Sequence, residues 1–307
     1  HKALLLKILR RTFVIFIIGT FIYGTATFLS TLRQTCQHPA PEVNAWKAAF
    51  ASLAHIRILG VLQRLALCYG IGSLLVTTIR HRHLPYLAAS LLAAYYGILL
   101  AGNGFMYGSE NILAQADQWV LGLSHMYNDH GIDPEGVLST IPSVAHVLIG
   151  FCFGKICLET PDMKDKLNRL FLYGAILLIT GFLLQDLCPL NKKVWSPTFV
   201  MVTCGFSALL LGVLSWYTDV TRQWRQVQAF TVFGVNPLFC YVLSELLYIL
   251  VDSLPLKGQS LHGTIYSALS RWVGDNAFAS LLYALLFVLA VWVVGAYLRK
   301  KNIYIKI

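Results

Sequence analysis

Acidic residues are scarce in this sequence. Its 307 residues hold 14 Asp and Glu against 24 Lys and Arg, and charged residues of both signs make up only 12% of the chain. With 57% hydrophobic residues and a mean hydropathy of +0.63, so little charge excludes an ordinary water-soluble domain. No CxxC pair and no zinc-type Cys/His spacing occurs, so no metal centre is expected. Of the seven cysteines, Cys68, Cys152, Cys157, Cys204 and Cys240 fall in apolar segments and read as small packing residues. Cys36 and Cys188 fall in connecting loops, where pairing is open. There is no N-x-S/T sequon, no internal repeat and no low-complexity tract. The chain opens at His1 without a methionine or the short apolar core of a signal peptide, which sets up the expectation that native sequence precedes it.

Long apolar runs fill the space that charge leaves. Windows of about 20 residues cross roughly 30 Å of hydrocarbon at about 1.5 Å per residue. Eight are predicted, over approximately Thr12 to Leu32, Ile58 to Thr78, Leu84 to Ala101, Ser139 to Leu158, Leu170 to Leu187, Pro197 to Tyr217, Phe230 to Val251 and Ala277 to Leu298. The expected fold is therefore all-α, a single polytopic transmembrane helix bundle embedded in a lipid bilayer.

The basic residues decide between nucleic acid and topology. If successive spans alternate sides, sixteen of the 24 Lys and Arg gather on one side, around Lys2 to Arg11, Arg80 and Arg82, Lys155 to Arg169, Arg222 and Arg225, and Arg299 to Lys306. Positive loops stay in the cytoplasm, so both ends are expected there and no nucleic-acid partner is implied. A bacterial inner membrane is the expected location, and self-association as a homodimer is left open.

The loops on the other side are long, and long loops in a compact bundle are where sites are built. Within one of them, "ENILAQADQWVLGL" sets Ile112, Leu113, Ala116, Trp119, Val120 and Leu123 on one helical face, as an interfacial helix would.

Three constellations carry candidate chemistry. In "HIRILGVLQRLALCYGIGSLL", Arg57 and Arg64 lie two helical turns apart on one face, which puts Arg64 roughly 10 Å deeper. A lone guanidinium at that depth costs at least a few kcal/mol unless it meets a wet cavity, an anion or a partner carboxylate. Gln63 and Gly60 share the region. Pairing with a carboxylate such as Glu245 and a ligand-facing role both remain open.

The second stretch, "LGLSHMYNDHGIDPEGVLSTIPSVAHVLIG", gathers His125, Asp129, His130, Asp133 and Glu135 ahead of a span, with Thr140 and Ser143 leading into it. Carboxylates and imidazoles at a cavity mouth bind hydroxyl- and amine-bearing sugars or move protons; a solvated turn with a helix cap is the plainer alternative. His146 reads as a packed, hydrogen-bonded core histidine. In the third, "FTVFGVNPLFCYVLSELLYIL", Asn236 before Pro237 predicts a helix start with Asn236 as N-cap. An open helix N-terminus beside Arg222 and Arg225 suits phosphate, although simple capping accounts for it equally well.

"RILGVLQR", "LGLSHMY", "DPEGVLSTIPS", "NKKVWSPTFV" and "FGVNPLFCYVLSELL", in that order, resemble the heparan-alpha-glucosaminide N-acetyltransferase family and its bacterial relatives. The resemblance implies acetyl transfer from cytoplasmic acetyl-CoA, across the membrane, to the amino group of a terminal glucosamine. It also implies two further spans upstream, ten in all, with the family's central histidine in the loop between them. No position of this chain inherits that histidine. Under the resemblance Arg57, Gln63 and Arg64 line a tunnel for the pantetheine arm or the developing oxyanion, and Asn236, Arg222 and Arg225 hold the phosphates of CoA. His125, Asp133 and Glu135 orient the amino sugar and take its proton, with Ser143, Glu245 and Trp195 on the substrate side; Trp195 with Lys192 and Lys193 forms an outer rim. A permease for a small sugar or organic anion is the alternative, although such proteins usually show repeated halves.

Overall fold

The structure is a computed structural model describing residues 2–37, 44–127, 131–256 and 259–305. Twelve α-helices dominate these residues: α1 (Lys2–Gln37), α2 (Ala45–Ser52), α3 (Val61–Thr78), α4 (Leu84–Ala101), α5 (Ile112–Leu121), α6 (Thr140–Glu159), α7 (Met163–Leu183), α8 (Pro197–Ser215), α9 (Trp224–Val235), α10 (Pro237–Ser253), α11 (Leu261–Val273) and α12 (Asn276–Lys300). The sheet among them is one antiparallel pair of two-residue strands, β1 (Pro255–Leu256) and β2 (Gln259–Ser260).

Seven helices, α1, α3, α4, α6, α7, α8 and α12, are long and apolar enough to cross a membrane. The eighth expected span, Phe230 to Val251, is not straight. It is α9 and α10, which pass the same test together but are bent by 74°. The break falls at Asn236, whose backbone is out of the helical region (φ −132, ψ 57), because the following Pro237 has no N–H and crowds an α-helical predecessor. The expected helix start at Pro237 is thus observed.

The chain divides into two compact units. The first holds the opening of α1, through Gly19, and residues 57–224. Its core joins α3, α4, α6 and α8 through Cys68, Leu84, Leu92, Ala145, Leu148 and Val200. Close approach here depends on small residues, as is usual where lipid supplies no hydrophobic drive between helices. A Cβ on Gly205 of α8 would lie 2.5 Å from the Leu178 nitrogen and 2.7 Å from the Gly174 carbonyl oxygen of α7, so only glycine permits this α7–α8 contact.

The second unit holds residues 20–56 and 225–305. Arg33 near the end of α1 donates to the Asp252 carbonyl at 2.5 Å and meets its carboxylate at 3.5 Å. Trp292 of α12 donates its indole N–H to the Ala229 carbonyl at 2.8 Å, and Gly295 packs against Val232 of α9.

Candidate functional site

The site is built on the loop between α5 and α6. Asp133 Oδ2 accepts from the Tyr127 amide at 2.9 Å and from Arg57 Nε at 3.3 Å; Oδ1 accepts from the Glu135 amide at 2.9 Å and from Arg57 Nη2 at 2.5 Å. Its side chain is fully buried. Four donors saturate this carboxylate, so Asp133 fixes the turn and has no lone pair left for a substrate proton.

Arg57 also grips Glu135 Oε2, and its guanidinium lies 5.1 Å from the Tyr127 ring centre. Glu135 differs from Asp133 in two ways. Its side chain keeps 20% exposure, and among the described residues its other carboxylate oxygen accepts no hydrogen bond. The main chain of His125 is tied to the same place, its carbonyl accepting from the Ile58 amide at 2.9 Å. Asp129 and His130 lie outside the described residues.

Arg64 is 5% exposed and serves the same loop from below. Its Nη1 donates to the Pro134 carbonyl at 2.7 Å, its Nη2 to the Ser139 carbonyl at 2.5 Å and to the Ser143 hydroxyl, and its guanidinium stacks 4.2 Å from the Trp195 ring centre. The partner considered from sequence, Glu245, is not among these contacts. Glu245 lies half-buried on α10, in the second unit, with no ion pair or hydrogen bond among the described residues. The Ser139 carbonyl also accepts from the Ser143 hydroxyl at 2.9 Å, so Arg64 joins a hydrogen-bonded network at the start of α6.

Trp195 is not an outer rim. It has a left-handed backbone (φ 52), lies under Arg64, and meets Phe199 edge-on at 5.1 Å. Tyr95, fully buried, holds the preceding residue through its hydroxyl and the Val194 carbonyl at 2.5 Å. His146 lies 6.1 Å from the Trp195 ring, centre to centre. Instead of the expected hydrogen-bonded histidine, its Nδ1 is buried without a partner among the described residues, as are Arg64 Nε and Trp195 Nε1.

Gln63 turns away from the arginines. It is fully buried and packs where a Cβ on Gly19 of α1 would sit, 2.6 Å from Oε1, with neither amide atom partnered. Among the described residues, cavities of about 1060 and 520 Å³ in this unit are lined by other side chains than Arg57, Gln63 and Arg64. Arg57 and Arg64 together act as a clamp. Two guanidiniums spend their strongest contacts holding one loop.

Asn236 is corrected likewise. Its side chain makes no cap bond; Nδ2 donates to the Ile303 carbonyl at 3.0 Å and Oδ1 accepts from the Ile305 amide at 2.8 Å. At 2% exposure that amide is committed to the chain end and offers nothing to a phosphate. Arg222 and Arg225 are exposed, without ion pairs among the described residues. Arg222 sits beyond the far end of α8 from Trp195, roughly 28 Å of helix away. Cys36 and Cys188 are free thiols.

Asp117 is the residue that sequence reasoning missed. Helix α5 forms as expected, capped by Asn111, whose side chain accepts from the Leu113 amide at 2.8 Å. Trp119 is 88% exposed, and Val120 and Leu123 are exposed beside it, as on an interfacial helix, whereas Leu113, expected on the same face, is buried. The face toward the protein is Leu113, Ala114 and Asp117. Asp117, 1% exposed, accepts from the Val137 amide at 2.7 Å, and a Cβ on Gly136 would lie 2.1 Å from its unpartnered Oδ2. Gly136 is thus required by this carboxyl. Burial pushes Asp117 up to about 6; the Val137 N–H draws it back, and nearby Asp133 adds to the rise. The signal was a single acid one turn from Leu113 and Ala114 in an otherwise apolar pattern.

Fold and site together define an all-α polytopic membrane protein that fixes an interhelical loop with one buried and one half-buried arginine. The chain is similar to heparan-alpha-glucosaminide N-acetyltransferase of Mus musculus, 30% identical over 148 residues, and to that of Homo sapiens, 30% identical over 146. These matches cover 43% and 42% of this chain and 22% of each relative, so the chain matches about a fifth of their length. No protein-family model matches.

Proposed function

We propose that this protein is a membrane N-acetyltransferase, moving an acetyl group from acetyl-CoA on the cytoplasmic face to the amino group of a glucosamine-type sugar on the other. The observation that carries the reading is the unequal state of the two clamped carboxylates. Asp133 is saturated, whereas Glu135 keeps a free oxygen and access to solvent. An amine attacks a thioester only when neutral, so a carboxylate fixed at the loop surface has a defined task. The amine nitrogen bonds to the acetyl carbon, the carbon–sulfur bond breaks with its electrons leaving on the CoA thiolate, and Glu135 takes the amine proton.

The residues present suit the donor's acetyl group. Arg64 Nε and Trp195 Nε1 are buried N–H groups without acceptors, the kind of donor that stabilises negative charge on a carbonyl oxygen. Acetyl-CoA supplies the activated acyl carbon; Arg64, Trp195 and Ser143 would face that end, and His125 would lie beside the sugar. Similarity to proteins named as heparan-alpha-glucosaminide N-acetyltransferase supports the same reading.

The test is transfer in proteoliposomes with acetyl-CoA outside and glucosamine inside. Acetylated sugar in the lumen is the expected product. Uptake of unmodified glucosamine, independent of acetyl-CoA, overturns the proposal in favour of a permease.

A further inference from the structure

The cavity of about 1060 Å³ is independent of the loop site and has the form of a lipid groove. It is lined by α4, the second half of α6, α7 and the start of α8. At one end it is lined by the start of α4, the end of α6 and the start of α7; at the other by Tyr96, Leu187 and the start of α8. Between them the walls are hydrocarbon, with Ala89, Leu92 and Ala93 facing Ile149, Ile176 and Leu177. The alanines of α4 lower one wall and give the groove its width.

Polarity is confined mostly to one end. Arg82, Lys155 and Arg169 line it with one carboxylate, Glu159. Lys155 pairs with Glu159 at 3.6 Å and Arg169 with Asp165 at 2.9 Å, both exposed i,i+4 pairs that bind weakly and can share their cations with a phosphate. Arg82 is exposed and contacts the neighbouring His83 at 3.0 Å. This end belongs to the side that the basic loops assign to the cytoplasm.

Cations at the headgroup level above a hydrocarbon groove between transmembrane helices match an anionic phospholipid, whereas a small inorganic anion has nothing to place along the apolar walls. We propose that this groove binds a two-chain anionic phospholipid, with its phosphate at Arg82, Lys155 and Arg169 and its acyl chains along α4 and α7.

Native mass spectrometry of the intact protein in mild detergent tests this, using equal amounts of phosphatidylglycerol and phosphatidylcholine with identical acyl chains. Phosphatidylglycerol should be retained about tenfold better. The combined variant Arg82→Ala, Lys155→Ala, Arg169→Ala should bring the ratio near one, and Ala93→Phe, which fills the groove midway, should lower retention of both lipids. Should the triple variant fail to fold, Arg82→Ala alone, on an exposed side chain, should cut the preference about threefold. Equal retention by the unmodified protein, a preference unchanged in these basic-residue variants, or displacement by inorganic phosphate at the lipid's own concentration overturns the proposal.

Discussion

Among the described residues each unit contains one arginine–aspartate pair between distant parts of the chain, and the two pairs are built differently. In the first unit Arg57 meets Asp133 at 2.5 Å, with the carboxylate fully buried and two backbone amides completing its shell. In the second, Arg33 meets Asp252 at 3.5 Å with both side chains partly exposed, at 23% and 44%. The helices follow suit, since 39% of the α3 window is buried against 11% of the α12 window. A buried charge cannot leave its partner, so the first pair dictates the position of a loop; an exposed one exchanges with water and dictates little. Precise placement of side chains is therefore concentrated in the first unit, and the candidate site lies there.

The comparison breaks most visibly through its charges. Arg57→Ala leaves Asp133 buried and unpaired and should cost about 3 to 5 kcal/mol, whereas Asp252→Ala should cost less than about 1 kcal/mol. Thermal unfolding in detergent measures both, and equal losses would erase the distinction between the units.

Asp117 sharpens the contrast through pH. Its carboxyl, at about 6 in the fold against an ordinary 3.8, holds its proton more tightly folded than unfolded. The stability it contributes is complete below about pH 4 and lost as pH rises through about 6. Asp117→Asn, which keeps the neutral shape, should therefore stabilise the protein by about 2 kcal/mol at pH 8 and by little at pH 4. Melting curves of both proteins across that range, with no convergence at low pH, would refute the assignment. A smaller effect belongs to the second unit. Asn236→Ala removes two hydrogen bonds to the chain end and should cost about 1 kcal/mol, with faster amide exchange at Ile305 as its signature.

How much of this was legible in the sequence follows from range. Seven spans are read correctly from runs of local apolarity, and the break at Asn236 and Pro237 from one dipeptide, because both signals lie within a turn or two of the chain. The clamp is different. Arg57 and Asp133 are 76 positions apart, and local spacing gives no reason to expect loop carbonyls rather than Glu245 as the partners of the deep Arg64. Residue types drew attention to Arg57, Arg64, Asp133 and Glu135, but not to which arginine each carboxylate meets. The inward turn of Trp195 rests on a single left-handed residue in a short loop, a conformation to which tryptophan lends no preference. Asp117 escaped because an exposed apolar face on α5 was legible and the opposite, protein-facing side was not.

The division of labour between the two clamped carboxylates is the central claim, and acetyl transfer in proteoliposomes by Glu135→Gln measures it directly. The expected result is a fall in turnover of about 100-fold or more, with an unchanged melting temperature. Turnover at the level of the unmodified protein would contradict it.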